Sequence, residues 1–194
     1  MSSIHPYESA LNHTTLGVMK LTLDHNVVID LANGSPRVDR VRAALVEDSH
    51  HCFVVEIGAS EMRQRGIKPN RYDLFEQLLQ EAGIASLPRL APMMIWDVTF
   101  RDHGLWCDEQ MAERAKQIKE VLFGEAPAIA LPTDLDGPNA AAWLNRTCDV
   151  QTMWCHLHYQ NDVFVTSDGN FYKATKLPRL LALGAKRITR PHEL

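Results

Sequence analysis

Short apolar runs that end at a charged or polar residue and pass straight into an amphipathic stretch recur along this 194-residue chain. That alternation restricts its fold more than any other feature. In KLTLDHNVVIDL (20–31), Leu21 and Leu23 alternate up to Asp24, and an apolar helical turn begins at Asn26. From Pro36, Val38, Val41, Ala44 and Leu45 recur at helical spacing, opposite a polar face of Arg37, Asp39, Arg40 and Arg42. The run HCFVVEIGA reads as a buried strand, after which Ser60 caps a helix beginning at Glu61. Leu74, Leu78 and Leu79 mark another helix, closing near Gly83. Toward the end come a helix from Asp149 to about Gln160, a strand VFVT at 163–166, a turn SDGN, a helix through Leu183 and a last strand around KRIT. Strands alternating with helices predict an α/β fold with a mostly parallel sheet, and such sheets place their sites at the carboxyl ends of strands.

The stretch 84–147 breaks the pattern, with prolines at 88, 92, 127, 132 and 138. It offers a candidate strand at MMIWDVTF and one well-marked helix, Asp108 to Phe123, in which Asp108 caps and Met111, Ala115, Ile118 and Leu122 recur. The rest reads as loop or short helix. The length suits one domain, so the expected organisation is an N-terminal extension over 1–19 and a single domain over 20–194, elaborated at about 84–147.

Composition excludes several classes. At 45% hydrophobic and 23% charged residues the chain is not disordered. No apolar run reaches the roughly 18 residues a membrane span needs, since Asp24, Glu56, Asp97 and Asp162 interrupt the richest stretches. MSSIHPYESALNHTTLG has no basic leader before an apolar block, which points to the cytoplasm and to reduced, mostly buried thiols at Cys52, Cys107, Cys148 and Cys155. A net charge of −4 gives no global basic field, so any nucleic-acid site must be local.

Four acids fall at expected strand ends or helix starts: Asp24, Glu61, Asp149 and Asp168. Asp24 and Asp168 meet if their strands are neighbours. Converging carboxylates repel by about 1 kcal/mol per pair at 4 Å in water and several-fold more in a cleft. A divalent cation offsets this, and hard oxygen ligands select Mg²⁺ or Mn²⁺. The chemistry such a site supplies is hydrolysis of a phosphodiester by metal-activated water, with no covalent protein intermediate.

Here the residues resemble a known family. LTLDHNVVIDL is similar to the opening of PIN-domain proteins, GASEMRQRG to their helix-start glutamate, and CDVQTMWCHLHYQNDVFVTSDGNF to their closing signature of an aspartate-led helix, a short strand and a Thr-x-Asp turn before Phe. LGAKRITRPHEL resembles the way many of them finish. The resemblance covers about 20–66 and 147–194, with 19 residues separating Asp149 from Asp168. It implies a three-layer α/β/α sandwich around a mostly parallel sheet, with an inserted helical or loop middle segment. It also implies Mg²⁺- or Mn²⁺-binding catalytic carboxylates at Asp24, Glu61, Asp149 and Asp168, with Asn26 and Ser167 supporting them. Active members are nucleases, commonly of single-stranded RNA. One position departs: where many members carry a further acid, this chain has Asn170, whose carbonyl can ligate without adding charge.

Plainer readings stand beside these. Each acid could be only a turn or cap, and Glu56 competes with Glu61, which fits the position after the strand better. Asp30 and Asp162 read as surface or capping groups, and His25 as pointing outward. Zinc at Cys148, Cys155, His156 and His158 is disfavoured without a paired Cys-x-x-Cys, so these read as buried thiols and surface histidines. Trp96, Trp106, Trp143 and Trp154 read as core rather than as base-stacking platforms. Arg63, Arg65, Lys68 and Arg71 flank Glu61, and Lys173, Lys176 and Arg179 flank Asp168; of these, Arg63, Arg65 and Lys173 are the candidates for holding substrate phosphates.

The expected function is a PIN-type, metal-dependent endoribonuclease acting on single-stranded RNA. The alternative is a catalytically weak scaffold that binds RNA or a protein partner, an antitoxin or a second copy among the open choices. A phosphatase using Asp24 as nucleophile fits less well, because Asn26 stands where that chemistry wants a second acid.

Overall fold

The computed structural model describes residues 17–62, 71–96, 98–124 and 140–194. Apart from 17–19, the expected N-terminal extension lies outside them. Among the described residues, five strands, β1 (Lys20–Leu23), β2 (His51–Val55), β3 (Arg89–Leu90), β4 (Val163–Val165) and β5 (Arg187–Thr189), form one sheet in the order β3-β2-β1-β4-β5. Every pairing is parallel. The helices are α1 (His25–Ala32), α2 (Asp39–Val46), α3 (Gly58–Glu61), α4 (Tyr72–Glu81), α5 (Glu109–Phe123), α6 (Ala140–His158) and α7 (Leu177–Ala182).

Strand alternation builds two cores, one on each face. Leu21 and Leu23 of β1, Cys52 and Val54 of β2, and Val163 and Val165 of β4 pack with Val27, Val28, Val41, Phe75 and Leu79 from α1, α2 and α4. Phe164 faces the other way, into Ile118, Leu122, Met153, Trp154 and Leu180 from α5, α6 and α7. Successive strand residues point to opposite faces, so helices must cover both. The result is the three-layer α/β/α architecture.

Several local expectations change. The helix after β2 begins at Gly58, before Ser60, whose hydroxyl is not a cap but donates to the Val98 carbonyl at 2.5 Å. Gly58 permits the close approach there: a Cβ would stand 2.6 Å from His25 Nδ1. His25 is accordingly buried, not turned outward, and its ring faces Phe75 at 6.1 Å between centroids. MMIWDVTF is not a strand. The third strand comes earlier, at Arg89–Leu90. Thr99 Oγ1 accepts from the Ile95 N–H at 2.9 Å, and Thr99 N–H donates to Ile95 O at 3.0 Å, so this hydroxyl and backbone close a turn instead. Helix α5 runs as expected, with Asp108 accepting from the Met111 N–H at 2.8 Å.

The largest correction concerns α6. It starts at Ala140, not Asp149, because Ala140, Leu144 and Cys148 continue its buried stripe a further two turns toward the N-terminus. Asp149 therefore sits in mid-helix.

Candidate active site

β1 and β4 are adjacent, with Leu23 in register with Val165, so the residues that follow them meet at the carboxyl edge of the sheet. Asp24 N–H donates to the Val165 carbonyl at 3.0 Å. The side chain of Asp24 accepts from the N–H of His25 (2.8 Å), from Asn26 Nδ2 (2.6 Å) and from Thr166 Oγ1 (2.6 Å). Asp24 thus caps α1 while its carboxylate is fixed from three sides. Burial nevertheless pushes its carboxyl up to about 6; the Thr166 and His25 hydrogen bonds oppose the shift, and the charge of Asp168 adds to it.

Thr166 is the joint of the site. Its Oγ1 also accepts from the Asp168 N–H at 3.0 Å and from Asn26 Nδ2 at 3.2 Å. Asn26 Oδ1 in turn accepts from the Ser167 N–H at 2.9 Å. Ser167 therefore joins the site through its backbone, and its buried Oγ has no hydrogen-bond partner among the described residues. Asp168 Oδ1 accepts from the Asn170 N–H at 2.8 Å, so the turn after β4 is held by its own aspartate.

Asp149 enters from the flank. Helix α6 packs against α3 and presents Asp149 half-buried, within the field of three other acids. Burial first, then the charges of Asp24, Asp168 and Glu61, push its carboxyl up to about 8; Lys176 pulls the other way. The four predicted acids are thus electrostatically coupled at one end of the sheet. Asp149 and Asp168 line an open cleft of about 730 Å³ whose wall carries Arg146, Lys173, Lys176 and Arg179. Lys173 is on that wall as expected, while Arg63 and Arg65 lie outside the described residues.

The donor set suits a hard divalent cation: oxygen ligands only, with a mutual repulsion that burial magnifies and a cation relieves. Ser167 Oγ adds a buried oxygen that no donor among the described residues engages. Among the described residues, no three His, Cys, Asp or Glu side chains close around one point as a finished cage. Mg²⁺ keeps several waters and needs only one or two direct carboxylates, so a complete protein cage is not its requirement.

Glu56 serves elsewhere. It is buried at the end of β2, accepts from Tyr72 Oη at 2.9 Å and contacts His103 Nδ1 at 3.0 Å. Tyr72 stacks on His103 with 3.9 Å between ring centroids, and its Oη accepts from Arg89 at 2.9 Å. This network ties α4 and the segment before α5 to the sheet edge. Sequence distance hid these partners, because nothing local links Glu56 to His103.

Other expectations divide. Cys52, Cys148 and Cys155 are buried, whereas Cys107 is exposed. His156 is not a surface residue: it is fully buried, with Nδ1 3.0 Å from Thr22 Oγ1, because Thr22 faces α6. His158 is exposed and stacks on Trp154. Trp154 is core, but Trp96 and Trp106 are 70% and 81% exposed, since their loops leave the sheet. Asp162 accepts from the Lys20 N–H at the start of β1 at 2.9 Å and pairs with Lys186. Two site residues escaped the sequence reading. Thr166 was visible as the first letter of Thr-x-Asp; Arg146 carries no signal, because it precedes the helix start assumed there.

No family model and no curated protein matches this chain.

Proposed function

We propose that this protein is a metal-dependent endoribonuclease of the PIN type that cuts single-stranded RNA. One observation carries this reading: Asp24 and Asp168 are held together through Thr166, and Asp168 opens with Asp149 onto a cleft walled by arginine and lysine. Asp24, Glu61, Asp149 and Asp168 would hold Mg²⁺ or Mn²⁺. When bound, the ion supplies charge neutralisation and an activated water for attack on phosphorus.

The chain's own residues do the rest. Thr166 and Asn26 orient Asp24, and the backbone of the turn orients Asp168, so two ligands are set before any ion arrives. Arg146, Lys173 and Arg179 offer donors to the anionic backbone of a strand entering the cleft. Because these cations are local, the net charge of −4 is no obstacle. A cytoplasmic location accompanies this reading, in keeping with thiols at Cys52, Cys107 and Cys155. No helix among the described residues is long and apolar enough to cross a membrane.

A second reading, a scaffold that binds RNA or a protein partner with little catalysis, draws on Asn170, whose carbonyl oxygen is engaged by Lys176 at 2.5 Å. Cleavage of end-labelled single-stranded RNA with Mn²⁺, Mg²⁺ or EDTA separates the two. Metal-dependent cutting by the wild type that disappears in Asp24→Asn supports the nuclease. Metal binding without cutting of RNA or single-stranded DNA favours the scaffold.

A further inference from the structure

Lys176 immediately precedes α7, yet its ammonium reaches back into the acidic cleft. It donates to the Leu122 carbonyl in the last turn of α5, and to Asn170 Oδ1 at 2.5 Å. The Phe123 ring lies beside it, 5.5 Å from Nζ to centroid. A helix C-terminus, an amide oxygen and an aromatic face each favour a cation, and together they fix this one. An ammonium has three N–H donors. Among the described residues two are taken, which leaves one for the cleft that Lys176 shares with Asp149 and Asp168.

Asn170 links this cation to the acids. Its backbone N–H donates to Asp168 Oδ1 at 2.8 Å while its side-chain oxygen accepts from Lys176. Carboxylate, amide and ammonium therefore form one chain of contacts. Asn170 Oδ1 commits one of its two lone pairs to this contact, and a metal placed beside it would meet a positive charge. Burial, and then the charge of Lys173, lower the pKa of Lys176, while Asp168 and Asp149 oppose the shift.

We propose that Lys176 is the resident second cation of the cleft: its ammonium, held on Asn170 in the cleft that Asp168 also lines, occupies the place that a second divalent ion would need, so the site takes one Mg²⁺ or Mn²⁺. Its remaining N–H is directed to a phosphate oxygen of the strand. This rests on the metal-dependent nuclease reading for its purpose. The occupancy itself can be measured without activity.

The test is Mn²⁺ binding alone, by titration calorimetry and by the loss of free-Mn²⁺ resonance signal. It compares the wild type, Lys176→Met, and the double variant Asn170→Asp with Lys176→Met. Methionine keeps most of the apolar stem, and thermal unfolding of each variant checks the fold. The expected stoichiometry is one ion for the wild type and two for the double variant. Cleavage should fall about 100-fold in Lys176→Met and recover in the double variant with a steeper dependence on Mn²⁺. Two ions in the wild type, or one in a folded double variant, overturns the proposal. The predicted stoichiometries without RNA cleavage by any of the three would uphold the cation assignment and remove the nuclease reading instead.

Discussion

Thr166 Oγ1 donates to Asp24 Oδ2 at 2.6 Å across 142 residues of chain. The parallel pairing of β1 with β4 makes that contact, and the same hydroxyl accepts from the Asp168 N–H, so one side chain sets the spacing of two acids. Thr166→Val retains the branched shape and removes the hydroxyl. It should cost about 1–3 kcal/mol, because the Asp24 carboxylate loses a donor in a buried setting. Urea unfolding measures this. A loss below about 0.5 kcal/mol, as at ordinary surface positions, would show that Thr166 is not the tie described.

Asp149→Asn should separate stability from function. Asp149 is crowded by Asp24, Asp168 and Glu61, so in the absence of divalent ions the neutral amide relieves repulsion. Above pH 8 the metal-free variant should melt about 2–4 °C higher than the wild type, the shift expected for roughly 1 kcal/mol in a chain of this size. Added Mn²⁺ should raise the melting temperature of the wild type more than that of the variant. Equal stabilisation of both would place the ion away from Asp149.

Glu56 and Glu61 should behave oppositely. Glu56→Gln weakens the contacts with Tyr72 and His103 and is expected to cost about 1–3 kcal/mol of stability, with Mn²⁺ affinity unchanged. Glu61→Gln should lower Mn²⁺ affinity and leave stability near that of the wild type. Calorimetric titration of both variants decides, and a loss of Mn²⁺ affinity confined to Glu56→Gln would exchange the two assignments.

The buried imidazole of His156 gives the protein an acid-side weakness. Burial, and then the charge of Lys186, lower its pKa from 6.5 to about 4, while Asp162 opposes the shift. Between those values the unfolded chain binds a proton that the folded chain refuses, so stability falls as pH drops through 6.5 toward 4 and is fully present above 6.5. The full contribution is about 3 kcal/mol. His156→Asn should flatten the dependence of urea midpoints on pH across this window, at the cost of lower stability at neutral pH. An unchanged slope would mean that other groups carry the acid transition.

Much of the layout was legible because it is local. Leu21 and Leu23 alternate with Thr22, and Val163 and Val165 alternate with Phe164; this period of two announces strands covered on both faces. Asp108 stands where a helix must satisfy its first N–H groups. The start of α6 was not legible, since an aspartate at position 149 looks like a cap until the buried stripe of Ala140, Leu144 and Cys148 is seen to continue through it. MMIWDVTF failed for a related reason: its residues suit a strand, but Thr99 satisfies the backbone of Ile95 locally.

By itself, then, the sequence determined the alternation of strands and helices, the parallel α/β class and the positions of four acids along the chain, because each follows from periodicity or from a cap within a few residues. Only the tertiary structure decided which acids share a field, that Glu56 turns to His103 and Tyr72, that Thr166 joins Asp24 to Asp168, and that Lys176 stands in the cleft with Asp149. Those are contacts between segments 6 to 142 residues apart, chosen by strand order and helix packing. Electrostatic and hydrogen-bond energies depend on distance in space, which no local pattern encodes.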